Sequence, residues 1–590
     1  MKRFFLTPFL VLFCFAALAQ DKSLLELKYE ENYTPTYNEV IEMYQLLDKT
    51  YPNASLLEKG KTDIGKPLHL FVINSEPVFD PQRIREQGKS VLLINNGIHP
   101  GEPAGIDASL QFADDMLRNK NKMQKWLENT VIIIIPAYNI GGLLNRSATN
   151  RANQSTPYET GFRGNAKNLD LNRDFTKNDS ENAKSFTKIF QEWNPDVFLD
   201  THTTNGSDHQ YSVTWIPPFP DYFPPAQEKF LREKMLPQMF EKMKKGEYAL
   251  TPYVNWMHRD PKKGIQMWQD APRYSSGFAS LFNSYGMMTE NHVYKVYSDR
   301  VKSCYEFICS LAEFTFENSE GIITSRETGI EELLSAENYP LSYEVDTTKY
   351  STITFKGYEA SDEIIDKVTG LPRFGYDRTK PYSHEIRYYD VYNTVEEIQI
   401  PEYYILPQGW KEVIERLKLN GIEFYAISKD IFFDVEVDYI DDFGGPPQPY
   451  NGHYFHNKVT THSEIQNLKY YAGDIIIPVR QKKIKYILEI LEPKAMDSFF
   501  RWNFFDSVLD QREYFSTYGF EENALKYLES HPDFKSKFLE KRNSDPEFAK
   551  DHRAQLAYIY NNTEWAEKTC KRYPAAKIFK KFSENELKSF

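Results

Sequence analysis

The run Val131-Ile132-Ile133-Ile134-Ile135 sets five β-branched residues in a row, and a chain carrying it must keep both faces of a strand dry. Strict alternation would mark a half-buried strand; an unbroken apolar run ended by Pro136 marks one covered on both sides. Val91-Leu92-Leu93-Ile94 and Asp196-Val197-Phe198-Leu199 have the same character. Helical patterns lie between such runs. One is predicted from Ala104 to Arg118, with Pro103 at its first position; another, within residues 30–50, carries Val40, Met43, Leu46 and Leu47 at helical spacing. Strands alternating with helices predict an α/β domain on a mixed, largely buried central sheet flanked by helices.

The strand Val91–Ile94 stops at the turn-forming Asn95-Asn96-Gly97, and His99-Pro100-Gly101-Glu102 follows. Open α/β sheets gather ligands just beyond strand ends. His99 and Glu102 are there spaced to grip one metal ion, and an imidazole with a carboxylate suits zinc, which needs a further protein ligand and one open position. His202, in Asp200-Thr201-His202, occupies the same topological position after another apolar strand. The His-x-x-Glu pair alone equally describes a solvated turn; the second strand-end His favours a metal site.

The segment Gly161–Phe175 is dense in Asn, Arg and Asp. It reads either as an exposed loop with surface ion pairs or, beside a metal, as an anion site, because the guanidinium forks of Arg163 and Arg173 match carboxylates. Glu290 ends the apolar stretch Gly286-Met287-Met288-Thr289, where an acid can act as general base on a metal-activated water.

The ordered set His99-x-x-Glu102, Arg163, Asn172-Arg173, His202 and Glu290 resembles the zinc carboxypeptidase family, over roughly residues 30–320. The resemblance implies one zinc ion per chain, held by His99, Glu102 and His202, with Asp170 orienting the first His. It implies Glu290 as base and then acid, Arg163 as oxyanion stabiliser, and Asn172 and Arg173 as the site for a peptide's free C-terminal carboxylate. The implied activity is hydrolysis of the C-terminal peptide bond. Tyr274 is either the substrate-covering Tyr of that pattern or a Tyr packed at a helix start. Arg273 either favours acidic substrates or pairs with Asp270. Two alternatives stay open: a cell-wall peptide carboxypeptidase or amidase on the same site, and a non-catalytic zinc-binding module.

At 590 residues the chain exceeds one core. Residues 1–19 read as a secretory signal, with Lys2-Arg3, an apolar core from Phe4 to Ala16 and Ala17-Leu18-Ala19 before Gln20. This implies export to the periplasm or cell exterior after cleavage near Ala19, with no stable membrane insertion of the mature chain. A catalytic domain is expected over 20–325, and a β-rich then helical accessory region over 326–590, an extension of the kind found on exported bacterial members of the family. Cys14 leaves with the signal, so Cys304, Cys309 and Cys570 cannot form a disulfide scaffold. Loss of Lys2 and Arg3 takes the net charge from −13 to −15, which excludes nucleic acid as a partner on charge grounds. Lys242-Met243-Lys244-Lys245 and Lys482-Lys483-Ile484-Lys485 read as solvated helix ends. Trp215-Ile216-Pro217-Pro218 reads as a loop near the cleft. Trp502 and Tyr514 read as packing residues, with a carbohydrate-stacking surface as the other option.

Overall fold

The all-apolar runs become the middle of one mixed sheet in a computed structural model that describes residues 22–204, 206–257 and 259–590. The expected signal segment 1–19, with Cys14, lies outside the described residues. Strands β1 (Ala54–Lys61), β2 (Pro67–Ile73), β3 (Ser90–Asn95), β4 (Thr130–Ile135), β5 (Val197–Thr204), β6 (Val213–Ile216) and β7 (Leu250–Pro252) come first in the chain. Next come the two-residue strands β8 (Asn255–Trp256) and β9 (Ile265–Gln266), then β10 (Tyr285–His292). The main sheet has eight strands in the order β1-β2-β4-β3-β5-β10-β6-β7. Its centre, β4-β3-β5-β10, is parallel, so the carboxyl ends of β3, β5 and β10 open on the same edge.

Both faces are covered, as the unbroken apolar strands require. Helices α1 (Tyr37–Thr50), α2 (Ala104–Leu117), α3 (Glu181–Trp193), α4 (Ser275–Ser280), α5 (Tyr297–Glu317) and α6 (Ser319–Ser335) follow the chain order. Val197 and Leu199 face the core shared with α2 and α5. Phe198 faces the other way, against Phe186 and Phe190 of α3, with ring centroids 5.9 and 6.2 Å away. Three details differ from the sequence reading. Pro103 caps α2 rather than opening it; Tyr44 takes the buried slot of α1 while Leu46 stays 42% exposed; and Trp215-Ile216 belongs to β6, not to a loop, with Trp215 fully buried.

Asp107 of α2 is buried and accepts hydrogen bonds from Thr34 Oγ1 at 2.8 Å and Tyr297 OH at 2.6 Å, tying the entering chain, α2 and α5 together. Burial pushes its carboxyl up to about 7, against the opposing effect of those donors. The native state therefore binds the proton more tightly than the unfolded chain, and this group's contribution to stability falls as pH rises from about 4 to about 7. Asp107→Asn is expected to remove that decline, which amounts to about 1.4 kcal/mol per pH unit inside the window. Urea unfolding of both proteins from pH 4.5 to 7 checks it; parallel stability curves would mean that Asp107 titrates normally.

The chain divides into two compact units, and the division does not fall at 325. The first comprises residues 22–400, 412–423 and 479–497. Helix α6 runs unbroken through 325, and β11 (Asn338–Val345), β12 (Ser351–Ile365), β13 (Pro372–Tyr389) and β14 (Tyr392–Gln399) belong with the catalytic sheet's unit. The cause is pairing: β13 joins β9 through Tyr388–Ile265 and Tyr389–Gln266, and Lys356 O accepts from Gln210 N at 3.1 Å. Helix α7 (Ile484–Leu491) is buried throughout in this unit. Its Lys485, expected at a solvated helix end, is instead 1% exposed.

The second unit comprises 401–411, 424–478 and 498–590. Strands β15 (Tyr403–Leu406), β16 (Tyr425–Ala426), β17 (Ile431–Gly444), β18 (Lys458–Tyr470), β19 (Ile475–Pro478) and β20 (Ala576–Ile578) form its six-stranded sheet. Helices between 517 and 560 enclose a small core of Phe520, Phe538, Phe548 and Ile559. The last stretch is thus not wholly helical, since β20 returns to the sheet. Trp502 is buried with its ring 4.6 Å from that of Phe455, whereas Tyr514 is 67% exposed. Cys304, Cys309 and Cys570 are unbridged. Among the described residues no helix is long and apolar enough to cross a membrane.

Candidate active site

The turn after β3 is held by its own backbone and by neighbouring amides. Gly97 takes φ +68, a left-handed conformation that a side chain resists, and this lets the chain reverse towards His99. Asn139 Nδ2 donates to Ile98 O at 3.2 Å and Arg163 O at 3.0 Å, fixing the His99 loop and the Arg163 loop to each other. Asn96 Oδ1 accepts from Thr201 Oγ1 at 2.9 Å and Ser109 Oγ at 3.1 Å, joining the end of β3 to β5 and α2. A side chain at Gly105 would strike Thr201, so glycine lets α2 begin against β5 beside His202.

These constraints bring His99, Glu102 and His202 together, all buried, with their ligand atoms within 4.8 Å of one another. Nδ1 of His202 lies 3.2 Å and Nδ1 of His99 lies 3.5 Å from Glu102 Oε2. Each Nε2 faces a carboxylate, Asp170 Oδ1 at 2.9 Å for His99 and Asp200 Oδ2 at 3.0 Å for His202. An Nε2 proton donated outward leaves the Nδ1 lone pair facing inward, as a metal requires. His99 Nδ1 is buried without a hydrogen-bond partner. Burial opposes a proton on His202, but Asp200 and Glu102 draw positive charge to it. Two imidazole nitrogens and a carboxylate, opening on a cleft, fit zinc by donor type and number.

Glu102 divides its oxygens between two tasks. Oε2 faces the imidazoles and accepts Thr203 N at 2.8 Å, while Oε1 accepts Arg151 Nη1 and lies 3.6 Å from Arg163 Nη1. Burial would raise its carboxyl; Arg151 and His99 hold it well below the usual range. Asp170 is only partly buried, and His99 and Arg163, whose Nε is 2.9 Å from Asp170 Oδ2, hold its carboxyl low against the cost of desolvation.

Glu290 lies in β10 in register with His202 of β5. Burial pushes its carboxyl up to about 8, with His202 opposing and Glu102 adding to the rise. Asn172 Oδ1 accepts Ser275 N at 3.0 Å, and the Arg173 guanidinium stacks 4.5 Å from the centroid of Tyr274. Tyr274 is both the residue before α4 and a wall of the cleft. The cleft, about 340 Å³, is lined by His99, Glu102, His202, Arg163, Asn172, Arg173, Tyr274 and Glu290, and also by Tyr253, Trp268, Asp270 and Met288. Arg273 does not pair with Asp270, whose carboxylate instead accepts Trp268 Nε1, Ser276 Oγ and Gly277 N.

Sequence reasoning missed Arg151, Asp200 and Trp268. Asp200 stood in the Asp-Thr-His triplet, and its closeness to a candidate ligand was an available signal. Arg151 sits in an irregular stretch with no motif around it.

Buried paired imidazoles, a carboxylate ligand and a second carboxylate in one cleft at the open edge of a mixed α/β sheet define a metal-dependent hydrolase. Residues 40–210 match the family model described as zinc carboxypeptidase. Carboxypeptidase 2 of Trichophyton tonsurans is 20% identical over 428 residues, 69% of this chain and 72% of that protein. Carboxypeptidase 2 of Trichophyton rubrum is 21% identical over 436 residues, with the same coverage of 69% and 72%. A metallo-carboxypeptidase structure from Burkholderia cenocepacia aligns with TM-score 0.36 and 15% identity, over 48% of this chain and 70% of that one. Carboxypeptidase A from Helicoverpa armigera aligns with TM-score 0.36 and 15% identity, over 52% and 78%. The matched segment carries all three metal-gripping side chains. Over residues 40–210 the chain is similar to the zinc carboxypeptidases, and His99, Glu102 and His202 could hold one metal ion.

Proposed function

We propose that the enzyme is an exopeptidase that hydrolyses the C-terminal bond of peptides with a free α-carboxylate. The observation that carries this reading is the pair Asn172-Arg173 in the same cleft as the metal triad and Glu290. A cationic fork beside the reacting centre selects a substrate whose carboxylate lies one residue from the scissile bond.

His99, Glu102 and His202 would hold the zinc, with Asp170 and Asp200 fixing the two rings. Zinc, when bound, polarises the scissile carbonyl and brings the pKa of a water towards neutrality. Arg173 and Asn172 bind the terminal carboxylate, and Tyr274, stacked on Arg173, walls the bound residue from solvent. Glu290 takes a proton from the water as its oxygen attacks the carbonyl carbon. Arg163 stabilises the oxyanion that forms, a task for which loss of one donor typically costs about 10²–10³ in turnover. Glu290 then gives the proton to the leaving nitrogen as the C–N bond breaks, so no proton is gained or lost overall.

Incubating a mixed peptide library with zinc-loaded protein, and the same library as C-terminal amides, tests the reading by mass spectrometry. Stepwise loss of C-terminal residues from the free peptides only is expected. Equal cleavage of the amides, or internal cuts, would take the carboxylate site away from Asn172-Arg173. Export belongs to the same proposal: the mature chain would begin near Gln20, which N-terminal sequencing of the exported protein checks.

A further inference from the structure

The segment 270–282, which gives the cleft Asp270 and Tyr274 and so one of its walls, is held by a segment from far along the chain. Residues 479–497 return to the catalytic unit after the strands of the second unit, and they touch the wall at both ends. At one end, Asp497 is fully buried and accepts Arg273 N on Oδ2 at 2.7 Å, while its Oδ1 lies 2.9 Å from Arg273 Nε. Met496 O accepts a third contact from Arg273 Nη2 at 3.5 Å. At the other end, Lys485 Nζ donates to Ser280 O at 2.8 Å, at the last residue of α4, and to Tyr222 O at 2.6 Å. Tyr486 stacks on Phe282 with ring centroids 5.3 Å apart.

Two residues between those ends bear on the site. Tyr274 follows Arg273 directly and lies under the Arg173 guanidinium. Ser275 N donates to Asn172 Oδ1 at 3.0 Å, and Ser275 Oγ donates to Asp200 Oδ2, the same oxygen that holds His202 Nε2. A shift of Arg273 would thus move Tyr274 and Ser275, and through them the partners of Asn172, Arg173 and His202.

We propose that Asp497 is a positioning residue for substrate binding: through Arg273 it sets the Tyr274-Ser275 corner of the cleft. The returning segment 479–497 is on this view a working part of the catalytic unit, not an appendage to it. The chemistry suits a rigid clamp. A carboxylate that takes both a backbone N–H and the guanidinium of one residue fixes that residue's main chain and its side-chain direction together. Its burial keeps water from competing for either contact.

The inference rests on the exopeptidase reading for its kinetic consequence but not for its structural one. In the full-length protein, Asp497→Asn is expected to retain zinc and the fold. Its KM for a free peptide should rise about tenfold or more, with kcat changed by less than threefold. Hydrogen–deuterium exchange should speed up in 270–282 and stay unaltered in β3 and β5. A second variant, Arg273→Gln, gives the same pattern without touching 479–497, and the double variant should be no worse than either single one. Normal exchange in 270–282 and an unchanged KM in the Asp497→Asn protein would overturn the proposal. Faster exchange throughout the unit, with kcat and zinc content falling together, would also overturn it, since Asp497 would then serve general stability. Absence of C-terminal trimming by the unsubstituted enzyme would count against the exopeptidase reading alone, and local exchange would still decide the clamp.

Discussion

Glu290→Gln is expected to keep its zinc and lose turnover by about 10²–10⁴-fold, the usual contribution of a positioned acid–base group. Glutamine matches the shape of the half-buried carboxyl, and the strand that carries it is fixed on both sides, by His202 in β5 and by Thr214 in β6. The backbone carbonyl of residue 290 keeps its hydrogen bond from Thr214 Oγ1 at 3.2 Å. The amide can still sit beside a water, but it cannot accept the water's proton. Stability should not fall, because burial and the neighbouring Glu102 both disfavour the ionised form of Glu290. Zinc by atomic absorption and kcat on a free peptide are the two measurements. Zinc retained with near-normal turnover would remove the base from Glu290, and zinc lost would make residue 290 a ligand instead.

The parts of this site that were legible in the sequence are those whose meaning is local. His99 and Glu102 share one turn, and an unbroken apolar strand ending in Asn95-Asn96-Gly97 announces where that turn lies. His202 could be read in the same way from the strand before it. What stayed hidden depends on hydrogen bonds between distant segments. Asp200 matters because Ser275 and His202 meet on one of its oxygens. Arg273 was offered Asp270 as a partner because the two are near in sequence; the fold instead supplies Asp497.

The same distinction explains the fold. Strands β3, β4 and β5 declare themselves by composition, whereas β9 is two residues long and invisible by any periodicity. Yet β9, with Gln210, joins the β12–β13 hairpin to the catalytic unit, so the stretch after 325 read as a separate accessory region. Lys485 shows the limit of reading charge runs. Lysines near a helix end are usually solvated, but this one finds two carbonyl acceptors inside the unit, a pairing no local pattern announces.

His202→Ala is expected to lose the metal and, with it, all measurable peptidase activity. His99 and Glu102 alone leave the ion two protein ligands, one fewer than zinc hydrolases retain. Asp200→Asn gives the scale for comparison, because it leaves His202 in place and alters only the oxygen that orients the ring. Loss of such a partner typically weakens metal binding about 10–100-fold, so the ligand deletion should exceed that range. Chelator competition on the three proteins orders them: unsubstituted, then Asp200→Asn, then His202→Ala. Equal affinity in the Asp200→Asn and unsubstituted proteins would leave Asp200 as the partner of Ser275 and Asn95, and the His202 ring would then owe its orientation to Glu102 and the metal. Stoichiometric zinc in His202→Ala would be the graver result. It would require a third ligand from elsewhere in the cleft, and Glu290 is the carboxylate best placed by register to supply one. The two substitutions therefore test each other: Glu290 can be the proton carrier only if His202 is needed for the metal.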